Sequence, residues 1–135
     1  MDRLLRKHKA AAKAVPAPAV RMQTDATFGI ISLGGCDPAV REAVAALAER
    51  GIVADYLRVR AFPFDETVET FLAKHDRIFV VEQNRDAQLK TLLTMETAVP
   101  KEKLRSVLVY GGFPLSAHHV IDGITSQLEH TNALA

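Results

Sequence analysis

The sequence has very little cysteine and no long apolar run. Its 135 residues include a single cysteine, Cys36, which excludes an intramolecular disulfide framework and a zinc site built from several cysteines. No apolar run approaches the roughly 20 residues that a membrane-spanning helix requires. We therefore expect neither a membrane protein nor a disulfide-stabilised secreted one, and the expected location is a reducing cytoplasm.

The composition is otherwise that of a folded protein. Hydrophobic residues make up 48% of the chain and charged residues 24%, fractions that are ordinary for a soluble globular protein and exclude a disordered one. A chain of this length is expected to form one domain and to bury roughly two thirds of its unfolded surface. We therefore expect a single domain with a substantial hydrophobic core.

The net charge of +1 is unevenly distributed along the chain. Residues 1–21 carry six lysines and arginines and one aspartate, a net charge of +5, while the remainder carries −4. Such a basic segment is compatible with nucleic-acid binding, a transit peptide, an adaptor for acidic partners, or a connecting helix with a solvated face. Because the segment lacks serine and base-stacking aromatic residues, the connecting helix is favoured and no nucleic-acid partner is expected.

The chain divides into two parts by composition. Residues 1–24 are predicted to be a basic helix and a proline-rich linker, and residues 25–135 to be the folded domain. Residues 2–14 favour a helix, which Pro16 and Pro18 then interrupt because proline fixes φ and restricts the residue before it. Since the helical pattern is already under way at the start, we expect a segment to precede the domain, and Met1 need not be a biological start.

Strand and helix patterns alternate over the rest of the chain. Strands are predicted at Thr27–Leu33, Val53–Val59, Arg77–Glu82 and Leu104–Tyr110, with a possible edge strand at Val20–Met22. Helices are predicted from Asp37 to a stop at Gly51, at Asp65–Lys74, at Asp86–Glu96, and after a Ser116 cap. Such alternation implies parallel strands joined by right-handed crossovers. The predicted fold is a three-layer α/β/α sandwich around a mostly parallel sheet of about five strands.

The loop after the first long strand joins a strand end to a helix N-terminus. Backbone N–H groups and the helix dipole favour an anion at such a place, so Gly34 and Gly35 are candidate ligand-loop residues. Their spacing matches neither a dinucleotide nor a P-loop pattern, and both glycines also suit a tight turn. The helix terminus would lower the pKa of the Cys36 thiol, but no motif supplies a catalytic base, so an incidental small cysteine is favoured.

Arg58 and Arg60 alternate with apolar residues at the end of the second long strand. On an extended chain both guanidinium groups would point to one side, an arrangement that suits a phosphate or carboxylate ligand. Pairing with acidic neighbours such as Asp55, or with another subunit, is the alternative interpretation.

The run from Phe79 to Asp86 ends a buried strand in a cluster of polar residues. Ligands and partners gather at the carboxyl ends of parallel strands, which makes Glu82, Asn84 and Arg85 candidates for a site. A buried Glu82 carboxylate must be hydrogen-bonded or paired. It could act as an acid or base, or it could hold neighbouring loops in register, with Asp86 as a helix cap.

The histidines predict no metal site. His118 and His119 are adjacent on a predicted helix and project about 100° apart, and no third ligand accompanies His75 and Asp76. The connection after the last strand contains Gly111, Gly112 and Phe113. These glycines permit unusual backbone angles, and Phe113 is predicted to pack on a neighbouring domain.

Taken in order, these pieces resemble the C-terminal part of the alpha subunit of 2-oxoacid:ferredoxin oxidoreductases. The matching segments are GIISLG at 29–34, DPAVREA at 37–43, DYLRVRAFPF at 55–64, VVEQNRDAQL at 80–89 and YGGFPL at 110–115. The similarity extends over roughly residues 1–128. The family commonly has glycine where this chain has Ala87, so a role that needs a positive φ is not expected there, and Cys36 replaces a small hydroxyl residue.

The resemblance implies a transketolase C-terminal-like domain, a sandwich with a mixed five-stranded sheet. It also implies a parent complex that oxidatively decarboxylates a 2-oxoacid, 2-oxoglutarate rather than pyruvate, to an acyl-CoA and reduces ferredoxin. Thiamine diphosphate, magnesium and the iron–sulfur cluster of that complex belong largely to the beta subunit, CoA is a substrate, and the substrate-binding residues of the alpha subunit lie in an earlier domain. No cofactor is expected in this chain itself.

The leading hypothesis is therefore a structural and assembly domain without catalytic residues of its own. Its expected partners are the other alpha-subunit domains and the beta subunit, with ferredoxin reached indirectly. The alternative is a small CoA- or nucleotide-binding module that uses the glycine loop and the two strand-end arginines.

Overall fold

Five strands form one sheet in the computed structural model, which describes residues 1–134. The strands are β1 (Ala19–Arg21), β2 (Phe28–Leu33), β3 (Ala54–Val59), β4 (Ile78–Glu82) and β5 (Leu104–Leu108). The α-helices over the same residues are α1 (Asp2–Ala14), α2 (Asp37–Glu49), α3 (Glu66–Lys74), α4 (Gln88–Glu96) and α5 (Ala117–Leu134). Single 3₁₀ turns occupy Gly34–Cys36 and Lys101–Lys103.

The strand order is β1-β3-β2-β4-β5. Strands β2 to β5 pair in parallel, and β1 pairs antiparallel with β3, Val20 lying opposite Leu57. The predicted three-layer α/β/α sandwich is confirmed, and the antiparallel edge strand lies where the sequence allowed one. Because β1 falls within the segment 1–24, part of the predicted linker belongs to the sheet.

Alternating strand residues build a core on each face of the sheet, since successive side chains of a strand point to opposite faces. On one face Ile30 and Phe79 pack with α2 and α5. On the other, Ile31 and Val80 pack with α3 and α4. The strands are therefore buried on both sides, which explains why their sequences read as continuous apolar runs rather than as alternating ones.

Most of the predicted boundaries hold to within one residue. Asp65 caps α3 by accepting a hydrogen bond from the Thr67 N–H at 3.0 Å, and Gly51, with φ of +77°, follows the end of α2. Two predicted bounds were wrong. Helix α4 begins at Gln88 rather than at Asp86, and β5 ends at Leu108 rather than at Tyr110.

Helix α1 lies outside both cores, and none of its residues is buried. Its contact with the domain includes an edge-to-face approach of the His8 and Phe62 rings, whose centroids are 5.6 Å apart. Phe62 in turn meets Phe64 at 5.2 Å. Within the described part of the chain, no helix combines the length and apolarity needed to cross a membrane.

Gly123 allows α5 to pack closely on β5. A Cβ at this position would lie 2.6 Å from Cγ1 of Val107. Alanine is favoured over glycine inside a helix by about 1 kcal/mol, yet we expect Gly123→Ala to lower the free energy of unfolding by about 1–3 kcal/mol because the site is overpacked.

Urea denaturation of G123A, V107A and the double variant measures this effect. Because V107A removes the clashing methyl groups, the double variant should be more stable than the sum of the two single changes implies. A gain of stability in G123A alone would contradict the close packing.

Candidate functional site

The sheet has a topological switch point between β2 and β4. From β2 the chain moves first to β3 on one side and then to β4 on the other, and ligands of open α/β sheets bind outside the carboxyl ends of strands at such a point. A cleft of about 260 Å³ lies there. Its lining residues are Leu33, Gly34, Gly35, Cys36, Val81, Glu82, Gln83 and Asn84. The structure thus brings together the glycine loop and the polar run after β4, and we call this edge of the sheet the carboxyl edge.

Glu82 is buried at the end of β4, and its carboxylate caps helix α4. One oxygen accepts hydrogen bonds from the Leu89 N–H and from the Asn84 side chain at 3.1 Å, and the other accepts from the Lys90 N–H at 3.3 Å. Its backbone carbonyl accepts from the Val109 N–H at 3.0 Å. The carboxylate therefore satisfies N–H groups that a helix start leaves unpaired, which agrees with the interpretation that it holds neighbouring loops in register.

Asn84 organises the turn between β4 and α4. Its side-chain oxygen accepts from the N–H groups of Asp86 at 3.1 Å and Gln88 at 3.4 Å. The prediction that Asp86 caps α4 was wrong, because Glu82 and Asn84 provide those acceptors from before the turn. Asp86 instead pairs with Arg85 at 3.0 Å on the surface, where an ion pair contributes little to stability.

Ala87 adopts the left-handed conformation, with φ of 51° and ψ of 50°. A positive φ was not expected at an alanine, and this expectation was wrong, because the Asn84 side-chain oxygen accepts from the N–H groups on both sides of Ala87 and so fixes the backbone there. Left-handed backbone costs an ordinary L-residue roughly 1–2 kcal/mol, so the turn is strained.

We expect Ala87→Gly to raise the free energy of unfolding by about 1 kcal/mol, since glycine relieves this strain and only part of the gain is offset by its greater freedom in the unfolded chain. Chemical denaturation checks the change. Ala98→Gly serves as the control because Ala98 has no positive φ, and it should lose stability. A less stable A87G variant would show that the turn is not strained.

The glycine loop forms a single 3₁₀ turn, Gly34 having φ of +62°, and leads into α2. Cys36 is buried within it. Burial, with a smaller contribution from the negative charge of Glu82, raises the pKa of the Cys36 thiol despite hydrogen bonds from backbone groups of Gln83 and Leu33. The expected lowering by the helix terminus was wrong, because desolvation outweighs the dipole. An unreactive, packed cysteine agrees with this environment.

Arg58 and Arg60 have different surroundings. Arg58 is half-buried, and its Nε atom is buried without a hydrogen-bond partner among the described residues. Arg60 is exposed and donates to the Ala17 carbonyl of the linker at 3.5 Å. Neither side chain lines the cleft at the switch point. The structure therefore does not place the two guanidinium groups beside the glycine loop.

Sequence reasoning missed a hydrogen-bonded chain that ties α2 to the sheet. The buried hydroxyl of Tyr56 donates to Asp37 at 3.0 Å and accepts from Ser32. Burial, together with the hydrogen bond to Asp37 and its charge, raises the pKa of Tyr56, so the hydroxyl remains a donor. A tyrosine within an apolar strand was the available signal, because a buried tyrosine hydroxyl needs a partner.

The connection after β5 presents apolar surface at the carboxyl edge. Gly111 and Gly112 have φ of +109° and +83°, as their sequence position predicted. Phe113 and Tyr110 are 74% and 62% exposed, and Leu33, at the end of β2, is 46% exposed. The Phe113 carbonyl accepts a bond from the Gln83 side chain at 3.4 Å. We call Leu33, Tyr110 and Phe113 the apolar rim.

A second buried polar cluster lies at the opposite, amino edge of the sheet, where sequence reasoning placed no site. The fully buried Asp55 accepts from Lys74 Nζ at 2.8 Å, from His75 Nε2 at 2.8 Å and from the Gln23 N–H at 2.6 Å. The other ring nitrogen of His75 faces the Phe71 carbonyl at 2.7 Å. Both ring nitrogens therefore lie within hydrogen-bonding distance of an oxygen atom.

The chemical groups at the carboxyl edge are the Glu82 carboxylate, whose two oxygens both accept hydrogen bonds, the buried Cys36 thiol and the apolar rim. The described residues contain no group of three or more histidine, cysteine, aspartate or glutamate side chains arranged to hold a metal ion. These features are those of a rigid, partly apolar surface.

Comparison with solved structures identifies the fold. The 2-oxoglutarate:ferredoxin oxidoreductase of Magnetococcus marinus, solved with 2-oxoglutarate, coenzyme A and succinyl-CoA bound, matches 94% of this chain with a TM-score of 0.77 and 21% identity. A transketolase of Campylobacter jejuni matches 82% with a TM-score of 0.57 and 12% identity. The fold is transketolase C-terminal-like. The chain spans only 23% of the Magnetococcus chain and 18% of the transketolase.

A third solved structure is matched over nearly its whole length. The alpha chain of a probable 2-oxoacid ferredoxin oxidoreductase from Thermoplasma acidophilum matches 84% of this chain, with a TM-score of 0.57 and 21% identity, and is itself covered over 97% of its length. No protein-family model matches the sequence. No curated protein sequence matches it either. The likeness therefore rests on structure and establishes the fold.

Proposed function

We propose that this chain is the C-terminal structural and assembly domain of a 2-oxoacid:ferredoxin oxidoreductase alpha subunit. The complete complex would oxidatively decarboxylate a 2-oxoacid to an acyl-CoA and reduce ferredoxin. We favour 2-oxoglutarate over pyruvate because the solved neighbour that matches 94% of the chain is a 2-oxoglutarate enzyme. The Thermoplasma alpha chain, covered over 97% of its length, supports the view that this fold can form nearly all of an alpha chain.

The observation that carries the proposal is that the carboxyl edge combines a fully hydrogen-bonded carboxylate with exposed apolar side chains. The buried Glu82 carboxylate is occupied by the N–H groups of α4, while Leu33, Tyr110 and Phe113 stay exposed on adjacent loops. Exposed aromatic and aliphatic side chains on a rigid edge are typical of a protein interface. This edge would therefore face other domains of the alpha subunit and the beta subunit.

The donor set of the chain does not fit the cofactors of such a complex. An iron–sulfur cluster is held by several thiolates, and the chain has one cysteine, which is buried. A diphosphate in the switch-point cleft would meet the Glu82 carboxylate rather than a cation. We propose that thiamine diphosphate, magnesium and the cluster are bound by the beta subunit. The alternative of a CoA- or nucleotide-binding module finds little support, because Arg58 and Arg60 do not line that cleft.

Reconstitution tests this function. The chain would be mixed with the remaining alpha-subunit domains and the beta subunit encoded with it, and CoA-dependent reduction of a viologen dye would be followed with 2-oxoglutarate or pyruvate. We expect no turnover by the chain alone, turnover by the complete mixture with 2-oxoglutarate preferred, and little turnover when the chain is omitted. Turnover by the chain alone, or full activity without it, would contradict the proposal.

A further inference from the structure

A second cleft lies between the sheet and the C-terminal half of α5, away from the carboxyl edge. Its volume is about 360 Å³. The residues that line it are Arg77, Phe79, Arg105, Ser126, Gln127, His130 and Thr131. None of these residues carries a carboxylate, while three of them are basic. We call it the two-arginine cleft.

Strand geometry places the two arginines of this cleft on one face of the sheet. Arg105 stands directly opposite Phe79 in the β4–β5 register. Arg77 precedes Phe79 by two residues and therefore projects from the same face of the extended chain. Phe79 is fully buried and forms the apolar floor between them. Arg77 and Arg105 are therefore diagonal neighbours, a spacing that long side chains can span, and an anion between them would interact favourably with both guanidinium groups.

The protein itself provides no such partner. No carboxylate oxygen of the described residues lies within 4.0 Å of a guanidinium nitrogen of Arg77 or Arg105. Arg77 is half-buried, whereas Arg105 and His130 are exposed. None of the three side chains forms a hydrogen bond with residues 1–134. By contrast, the Gln127 side chain in the same cleft donates to the carbonyls of Ser106 and Gly123, each at 3.0 Å.

Acidic residues lie on the other side of the arginines. An adjoining cleft of about 590 Å³ shares Arg77 and Arg105 and is also lined by Asp76, Glu102 and Glu129. These carboxylates would repel an anion from that larger cleft. The smaller cleft is lined by both arginines and by His130, and no acidic residue lines it.

We infer that the two-arginine cleft binds the phosphoryl group of a small phosphorylated molecule. Guanidinium groups bind phosphate oxygens through paired hydrogen bonds, and the His130 imidazole adds a third donor. The cleft volume is at the lower end of the range of small-molecule sites, about 300–1,000 Å³. The site lies apart from the carboxyl edge, so it is independent of the proposed assembly function.

This inference is tested by titrating the intact chain with pyrophosphate while amide chemical shifts are monitored by NMR. We expect saturable shifts at Arg77, Arg105 and His130, and Arg105→Gln should weaken binding at least tenfold. Arg6→Gln is the matched control, since Arg6 is an exposed arginine of the basic helix α1, and it should change affinity less than twofold. His130→Gln, also at an exposed residue, gives a second variant should Arg105→Gln affect folding, and it should weaken binding at least threefold.

Several outcomes would overturn the inference. They are an absence of saturable shifts, an equal effect of Arg6→Gln and Arg105→Gln, an unchanged affinity in both cleft variants, and equal affinity for sulfate and pyrophosphate. A single-stranded oligonucleotide that displaced pyrophosphate from the same residues with higher affinity would assign the cleft to a nucleic-acid backbone instead of a small molecule, and would overturn it as well.

Discussion

Replacing Glu82 with alanine is expected to lower the free energy of unfolding by about 3 kcal/mol. The substitution removes the carboxylate that accepts bonds from the Leu89 and Lys90 N–H groups and from the Asn84 side chain. Hydrogen bonds to a charged group contribute about 1.5–3 kcal/mol, and a buried donor left unpaired costs about 1–3 kcal/mol. Loss of the cap should also loosen the first turn of α4, because the N–H groups of Leu89 and Lys90 have no other acceptor among the described residues.

Chemical denaturation measures this loss, and amide hydrogen exchange locates it. Exchange at Leu89 and Lys90 should accelerate more than exchange in α2. Glu82→Gln keeps one acceptor oxygen and the shape of the side chain, so it should lose about half as much stability. The control is Glu49→Ala at the exposed end of α2, expected within about 0.5 kcal/mol of the parent. If E82A were as stable as this control, the capping role of Glu82 would be wrong.

Replacing Asp55 with alanine is expected to cost about 3–5 kcal/mol, the range found when one partner of a buried ion pair is removed. The change leaves the buried His75 ring and the Gln23 N–H without their acceptor. Because the Gln23 bond holds the chain directly after β1, exchange in β1 should accelerate as well. Lys74→Met is the control, since Lys74 is half exposed, and it should cost less than about 1 kcal/mol. Equal losses in D55A and K74M would contradict the account of this cluster.

The same cluster predicts how stability responds to acid. Burial raises the pKa of Asp55, but hydrogen bonds from Lys74, Gln23 and His75 outweigh it and hold the pKa below its ordinary value of 3.8. A lowered folded-state pKa means that this contribution is fully present above the unfolded pKa and is lost as the pH falls through the folded pKa. Between pH 5 and pH 2.5, stability should therefore fall more steeply in the parent than in Asp55→Asn. Parallel curves for the two proteins would contradict this.

The sequence was sufficient to predict the layers of the fold because local signals agreed with each other. Apolar runs bounded by glycine or by Asp37–Pro38 marked the strands and the start of α2, and the order of strands and helices then allowed few topologies. The edge strand β1 was less clear, since a three-residue strand that pairs on one side only carries little pattern of its own. Its position depends on Asp55 and Gln23, which are distant in sequence.

The candidate site was harder to predict because its residues act on groups far along the chain. Glu82 was correctly seen as a buried carboxylate in need of donors, but those donors are N–H groups seven and eight residues later, which no side-chain motif reveals. Ala87 takes up a conformation that its own propensity disfavours, because the surrounding hydrogen bonds fix it. The Asp55–His75 pair joins a strand to the end of a helix and has no signature in the spacing of its residues.

If the carboxyl edge is an assembly surface, as proposed, then the affinity of the chain for the other parts of the proposed oxidoreductase should depend on the apolar rim. Binding to the purified remaining alpha-subunit domains and beta subunit would be measured for the parent chain, Phe113→Ser and Met95→Ser. Phe113 lies in the apolar rim, whereas Met95, of nearly equal exposure at 73%, lies on α4. Aromatic residues at the centre of an interface often contribute about 2 kcal/mol or more, so F113S should weaken binding at least tenfold while M95S stays within twofold. Equal affinities for F113S and the parent, or a larger loss in M95S, would contradict the claim.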